Sequence, residues 1–199
     1  GGAEAALFRL CVGDSLHKHV VISMMDKGKY GVKLEQAGIQ VYCLDMSRGQ
    51  IRFGRVLDLC RILRRVQPDV LQTWMYHADL LGTLVAKFCG VKKLCWGLHH
   101  ANLNADAVKL KTSWIARACA WLSSWGPDSI VSCSRVAAEV HAEIGYAKDK
   151  FALVPNGVDL SRFAPDFELK QSMKKMWCTD QSEFLIGMVA RFDPQKDHA

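Results

Sequence analysis

Apolar positions along this chain change between two periods, and the changes predict alternating helices and strands. Residues 3–12 carry a helical pattern, and His19-Val20-Val21-Ile22-Ser23-Met24 reads as a strand. A helix over residues 30–37 is closed by Gly38, the residue type suited to a left-handed stop. Residues 39–44 give the next strand. Between 53 and 66, apolar residues at 53, 56, 57, 60 and 63 form a helical stripe, which Pro68 ends ahead of a strand over 70–74. A helix over 78–88, a strand over 93–98, a helix over 109–124 and a strand over 129–133 continue the series. Ser134 is placed to cap a helix that runs to Gly145, and residues 151–154 make a short strand.

Strands rich in β-branched residues that alternate with helices predict a parallel sheet covered on both faces. The expected fold class is therefore a doubly wound α/β domain. Pro155-Asn156-Gly157 interrupts the alternation, with proline removing a donor and glycine permitting a turn at positive φ. The boundary is expected between 154 and 159, giving a first domain over 1–154 and the start of a second over 155–199. A polar helix over 168–176 follows. Then Phe184-Leu185-Ile186-Gly187-Met188-Val189-Ala190 reads as a buried strand feeding a loop that carries Arg191 and Lys196.

The net charge of +6 suits an anionic small molecule, an acidic membrane surface or nucleic acid. Basic and aromatic residues do not interleave in the manner of single-strand binders, so nucleic acid ranks last. The eight cysteines contain no Cys-x-x-Cys pair and read as reduced core residues of a cytosolic protein. No apolar run approaches the roughly 20 residues of a membrane span, and no signal peptide pattern is present. The chain opens on a helix-start pattern without methionine, which suggests a fragment edge.

Ligands of open α/β sheets sit at the carboxyl ends of the strands. Three clusters are expected there: Met75-Tyr76-His77-Ala78-Asp79, His99-His100-Ala101-Asn102, and Gly1-Gly2 at the first helix start, where backbone N–H groups could face a phosphate. A strand-end histidine can be a structural hydrogen-bonder or a catalyst, and spacing leaves both readings open. Adjacent histidines point in different directions and no third ligand joins them, so no metal site is expected. His17 and His19 lie at a strand entrance, the wrong end for a site, and are expected to be solvated. Arg191 and Lys196 read either as two surface charges or as a fork and a point charge that together hold a diphosphate.

Several of these segments resemble one family. Val154-Pro155-Asn156-Gly157-Val158-Asp159 with Phe163-Ala164-Pro165, then Gly187-Met188-Val189-Ala190-Arg191 with Lys196, resemble the interdomain segment and first donor-domain strand of retaining glycosyltransferases of family 4, with the GT-B fold. Gly1-Gly2-Ala3-Glu4 resembles the helix start after that family's first strand. The run Gln72 to Gly82 and the run Trp96-Gly97-Leu98-His99-His100 resemble segments of bacterial surface-polysaccharide members.

The resemblance implies two Rossmann-like domains and transfer of a sugar from a UDP- or GDP-sugar to a lipid-linked or polysaccharide acceptor, without metal or other cofactor. It implies that Arg191 and Lys196 hold the donor diphosphate, with Gly1 and Gly2 in the loop approaching the donor phosphates or acceptor. His99 matches the histidine near the sugar's reactive face, with His100 the alternative by one register. Tyr76, His77, Asp79 and Asn102 would line the acceptor side, and Asn156 and Gly157 the interdomain segment. The family's first strand and most of its donor domain have no counterpart in the sequence, so the fragment alone is expected to be inactive. The implied location is the cytoplasm, with peripheral contact on an anionic inner membrane.

One helical stripe bears on that contact. Trp114, Ala118, Trp121, Leu122 and the nearby Trp125 could lie on a bilayer with Lys109, Lys111 and Arg117, but the spacing favours a core-facing stripe. Arg52, Arg55, Arg61, Arg64 and Arg65 read as a solvated helix surface, with a phospholipid-facing patch as the second reading. Two other function classes stay open: a sugar-nucleotide epimerase of the same architecture, and a non-catalytic binding remnant.

Overall fold

In the computed structural model the described residues are 2–47, 50–99, 110–161, 163–177, 186–190 and 192. The chain divides into two compact units, Gly1–Asn156 and Gly157–Ala199.

The first unit alternates helix and strand as its apolar periods require. In order it comprises α1 (Gly2–Gly13), β1 (Val20–Ser23), α2 (Gly28–Gln36), β2 (Gln40–Cys43), α3 (Phe53–Val66), β3 (Val70–Trp74) and α4 (Tyr76–Phe88). It continues with β4 (Lys93–Leu98), α5 (Leu110–Ser123), β5 (Ser129–Ser132), α6 (Arg135–Glu143) and β6 (Phe151–Leu153). Gly38 takes φ +80° after α2, the left-handed stop expected of it. Ser134 caps α6, its Oγ accepting from the Ala137 N–H at 3.1 Å.

Among the described residues all strand pairing is parallel, but the strands form two sheets where the sequence suggests one. β1 pairs with β2, and β3-β4-β5-β6 make a separate four-stranded sheet. Among the described residues no strand bonds β1 to β3. Apolar side chains connect what the backbone does not. Leu44, Met46, Leu59, Leu63, Leu81 and Val85 bury against Ile22 of β1 and Leu71 of β3. Leu71 also packs on the second cluster, centred on Trp96, Leu98 and Ile130. Burying such side chains is worth roughly 1.5–3 kcal/mol each, enough to hold both sheets on one core.

The tryptophan stripe of α5 does not face the core. Ala116, Cys119, Ala120, Leu122 and Ser123 are buried, whereas Trp114 and Trp121 are 70% and 72% exposed. The physical reason is the close approach of α5 to α4. Alanine and cysteine fit beside Tyr76 and Trp96, where indoles would not. On α3, Asp58 pairs with both Arg55 and Arg61, so its single carboxylate offsets one positive charge of the five-arginine set.

The second unit contains α7 (Phe167–Met176), capped by Asp166 Oδ1 accepting from the Leu169 N–H at 2.8 Å. Residues 186–190 are irregular and exposed, with Val189 fully in solvent, so the expected buried strand is absent over that part. A strand needs a neighbour for its N–H and C=O groups, and no other strand occurs among the described residues of this unit. Gly157 stays out of the left-handed region, so the turn expected at positive φ is not formed there.

Candidate functional site

The carboxyl ends of β3 and β4 build the site from a single register. Trp74 stands opposite Gly97, the last pair of the β3–β4 ladder. A Cβ on Gly97 would lie 3.1 Å from Thr73 O and 3.6 Å from Trp74 Cδ2. Glycine therefore leaves room for the indole close against β4. His99 is two residues beyond Gly97, on the same face of an extended chain. Its imidazole stacks on the Trp74 indole with centroids 4.5 Å apart and planes 7° from parallel. Stacking fixes the plane in which the ring nitrogens can exchange hydrogen bonds with a bound hydroxyl.

Met75 turns β3 into α4 with φ 75° and ψ 152°, a region that favours glycine. Such a conformation costs about 1–3 kcal/mol and persists only where surrounding contacts enforce it. Here the Met75 N–H donates to Gly97 O at 3.3 Å, and Met75 O accepts from the Asp79 N–H at 3.0 Å. The bend starts α4 at Tyr76, two residues before the start that the pattern predicts.

That early start turns two of the expected acceptor-side residues inward. Tyr76 is buried and its hydroxyl lies 2.7 Å from His141 Nε2. Because His141 Nδ1 sits 2.6 Å from the Ala137 carbonyl, which can only accept, Nδ1 carries the proton and Tyr76 donates to Nε2. Burial pushes the Tyr76 phenol upward, and the nearby Asp79 and Cys119 add to the shift. Asp79 is completely buried, with Oδ1 accepting from Thr73 Oγ1 at 2.5 Å. Burial raises its carboxyl well above the usual range, against a smaller lowering by the Thr73 hydroxyl. Asp79 Oδ2 has no hydrogen-bond partner among the described residues. Cys119, buried against the same core, is pushed up to about 12 by burial, which favours the neutral thiol.

Of the remaining expected residues, His77 is half-buried in the first turn of α4. Gly2 opens α1 in open space, so no contact there demands glycine. Asn156 and Gly157 are exposed and flank the division between the two units. Gly1, His100, Asn102, Arg191 and Lys196 lie outside the described residues. The structure thus brings His99 together with Trp74, a residue the sequence reading did not assign to the site. Its signal was present: an aromatic residue at a strand's carboxyl end, level with a glycine on the next strand. Met75 gave no signal, since methionine is not a turn former.

His17 is largely exposed, as expected, whereas His19 is part-buried. Both rings share Asp14 Oδ2, at 2.8 and 3.0 Å, beside a cleft of about 340 Å³ also lined by Cys11 and Ile39. This cleft adjoins the amino ends of β1 and β2, away from the strand ends that carry the stack. Among the described residues no cluster of three or more His, Cys, Asp or Glu could hold a metal ion. No described helix is long and apolar enough to cross a membrane.

The sequence profile of Glycosyltransferase Family 4 matches residues 1–162. The chain belongs to glycosyltransferase family 4. Trp74, Met75 and His99 all fall inside the matched stretch, and Arg191 and Lys196 fall beyond it. Over 146 residues this family 4 chain is 24% identical to the UDP-Gal:alpha-D-GlcNAc-diphosphoundecaprenol alpha-1,3-galactosyltransferase of Escherichia coli, covering 71% of the chain and 37% of that enzyme. Its fold resembles Anabaena Alr3699/HepE in complex with UDP, with TM-score 0.71, 16% identity, and 89% and 47% of the two chains covered. A UDP-N-acetylglucosamine 2-epimerase from Rickettsia bellii is more distant, with TM-score 0.55, 15% identity, and 88% and 49% covered. The parallel α/β architecture is the Rossmann-like type of GT-B glycosyltransferases. The family 4 chain spans less than half the length of each of these relatives.

Proposed function

We propose that this chain supplies the acceptor-side domain, residues 1–154, and the opening of the donor domain, residues 155–199, of a retaining, metal-independent glycosyltransferase. The reaction moves a hexosyl unit from a UDP- or GDP-sugar to a lipid-linked or polysaccharide acceptor in cell-surface glycan synthesis. The observation that carries this reading is the Trp74–His99 stack at the ligand end of the sheet, in a chain whose first 162 residues match a glycosyltransferase family. The diphosphoundecaprenol in the name of the E. coli relative supports a lipid-linked acceptor, and the UDP bound by the Anabaena protein supports a uridine donor.

In the reaction, the anomeric carbon's bond to the diphosphate breaks and an acceptor oxygen takes its place. The acceptor's proton leaves to solvent or with the nucleoside diphosphate. Arg191 and Lys196 hold the diphosphate and stabilise the charge that grows on it, and Gly1 and Gly2 serve the binding of the donor phosphates or acceptor. His99, or His100 in the alternative register, lies at the reactive face of the sugar. His77 and Asn102 line the acceptor side, while Tyr76 and Asp79 support it from within the core. Asn156 and Gly157 join the two domains. The protein works at the cytoplasmic face of the inner membrane, in peripheral contact with it.

The test uses the product of the whole reading frame that carries this chain. It is incubated with a panel of UDP- and GDP-sugars and with lipid-diphosphate-linked or glycan acceptors, in the presence of a chelator. Acceptor-dependent release of nucleoside diphosphate, with the anomeric configuration retained, is the expected result. His99→Ala and Arg191→Ala should each lower turnover by ~10²-fold while the fold is kept. A near-wild-type rate in either variant removes its assigned role. Conversion of the nucleotide sugar to its epimer, with no glycoside formed, would favour the epimerase reading instead.

A further inference from the structure

Trp74 carries the His99 ring, and both of its chain neighbours are held by one buried residue of α4. Asp79 Oδ1 accepts from the Thr73 hydroxyl at 2.5 Å, and the Asp79 N–H donates to Met75 O at 3.0 Å. Asp79 O in turn accepts from Thr83 Oγ1 at 2.7 Å, and Thr83 Oγ1 accepts from the Trp96 indole N–H at 3.1 Å. Asp79 therefore ties the residues on either side of Trp74 to each other and to Trp96 of β4. The helix comes this close because Gly82, one turn further on, lies against β3. A Cβ on Gly82 would collide with Thr73 Cγ2.

The surroundings of the carboxyl suit a neutral acid. Tyr76 on α4, Cys95 on β4, Cys119 on α5 and Tyr146 after α6 all feel its charge, and burial pushes each of them upward. All four stay uncharged near neutral pH, so none of them can pair with a carboxylate. An unpaired buried carboxylate is costly, whereas a neutral acid still offers Thr73 an acceptor oxygen. With no exposed surface, Asp79 cannot itself touch an acceptor. We infer that Asp79 is a positioning residue for the proposed transfer: by holding Thr73 and Met75 it fixes the Trp74 indole, and through the indole the plane of the His99 imidazole. Such a network holds its members more rigidly than single contacts would. The inference rests on the proposed transfer only for its effect on turnover, since the hold on the stack is a property of the fold.

Two measurements on the product of the whole reading frame test it. In proton spectra the His99 ring signals are assigned by their loss in His99→Gln, and their ring-current shift reads the stack with no nucleotide sugar or acceptor present. Asp79→Leu and Thr73→Val should each lose most of that shift at unchanged circular dichroism. Asp79→Asn, whose amide oxygen still accepts from Thr73, should keep it. In the nucleoside diphosphate assay Asp79→Leu and Thr73→Val should lower kcat by about tenfold with the donor KM within about twofold. Asp79→Asn should recover most of the kcat that Asp79→Leu loses. A residue that only fills the core would lower stability and leave the shift and the kcat of the folded protein unchanged. Thr73→Val keeps the shape of threonine, so it carries the test where Asp79→Leu does not fold. A wild-type shift in Thr73→Val overturns the inference, as does loss of the shift in Asp79→Asn. A lost shift at unchanged kcat overturns it too. Absence of all transfer activity counts against the transferase reading instead, and the spectra then decide the inference alone.

Discussion

The imidazole of His99 lies flat on the indole of Trp74, 4.5 Å between centroids and 7° from parallel. Such pairs contribute about 0.5–1.5 kcal/mol beyond the area they bury. Trp74→Leu keeps an apolar side chain but removes the stacking surface. The indole ring current should shift the His99 ring protons in the wild-type proton spectrum, and that shift should vanish in the variant. In the product of the whole reading frame, Trp74→Leu should also lower turnover, though by less than His99→Ala. Unchanged His99 resonances would remove the stack from the account of the site.

Gly97 permits that stack, and the permission can be withdrawn. A Cβ there would sit 3.1 Å from a backbone oxygen, which cannot rotate away as a side chain could. Gly97→Val should cost about 1–3 kcal/mol through overpacking, read as a lower urea midpoint. The same variant should lose the His99 ring-current shift. A variant of wild-type stability that keeps the shift would show that the strands part without consequence.

Asp79 should make stability depend on pH. Its unfolded form ionises near ~3.9. Burial keeps the folded form protonated to a higher pH, so over that window the folded chain binds more protons. The contribution is therefore complete below the unfolded value and is lost as pH rises toward the raised folded value. Asp79→Asn keeps the shape without the titration. Urea midpoints measured across this range should fall with pH in the wild type and stay flatter in Asp79→Asn. Parallel curves would mean that Asp79 ionises in the fold as it does in water.

Much of the fold was legible because the first unit is built from local patterns. The apolar stripe of α3 and the apolar runs of β3 and β4 specify their elements within a few residues, and Gly38 and Ser134 mark helix ends by their own local chemistry. The burial of α5 was not legible. Its tryptophans and its small residues both recur at helical spacing, and only the tight approach of α4 and Trp96 decides which stripe turns inward. Residues 186–190 mislead for a related reason. An apolar run becomes a buried strand only when another strand pairs with it.

The sequence by itself determined the class of the chain: parallel α/β elements in order, with polar residues gathered after β3 and β4. Those features follow from periodicity and turn chemistry, which act over a few residues. Tertiary structure decided which of those polar residues remain near the surface. Tyr76 and Asp79 turn into the core because Met75 bends the chain early, and His99 gains Trp74 because Gly97 lets two neighbouring strands place their rings together. A strand register and a strained backbone are properties of packed neighbours, and no single segment carries them alone.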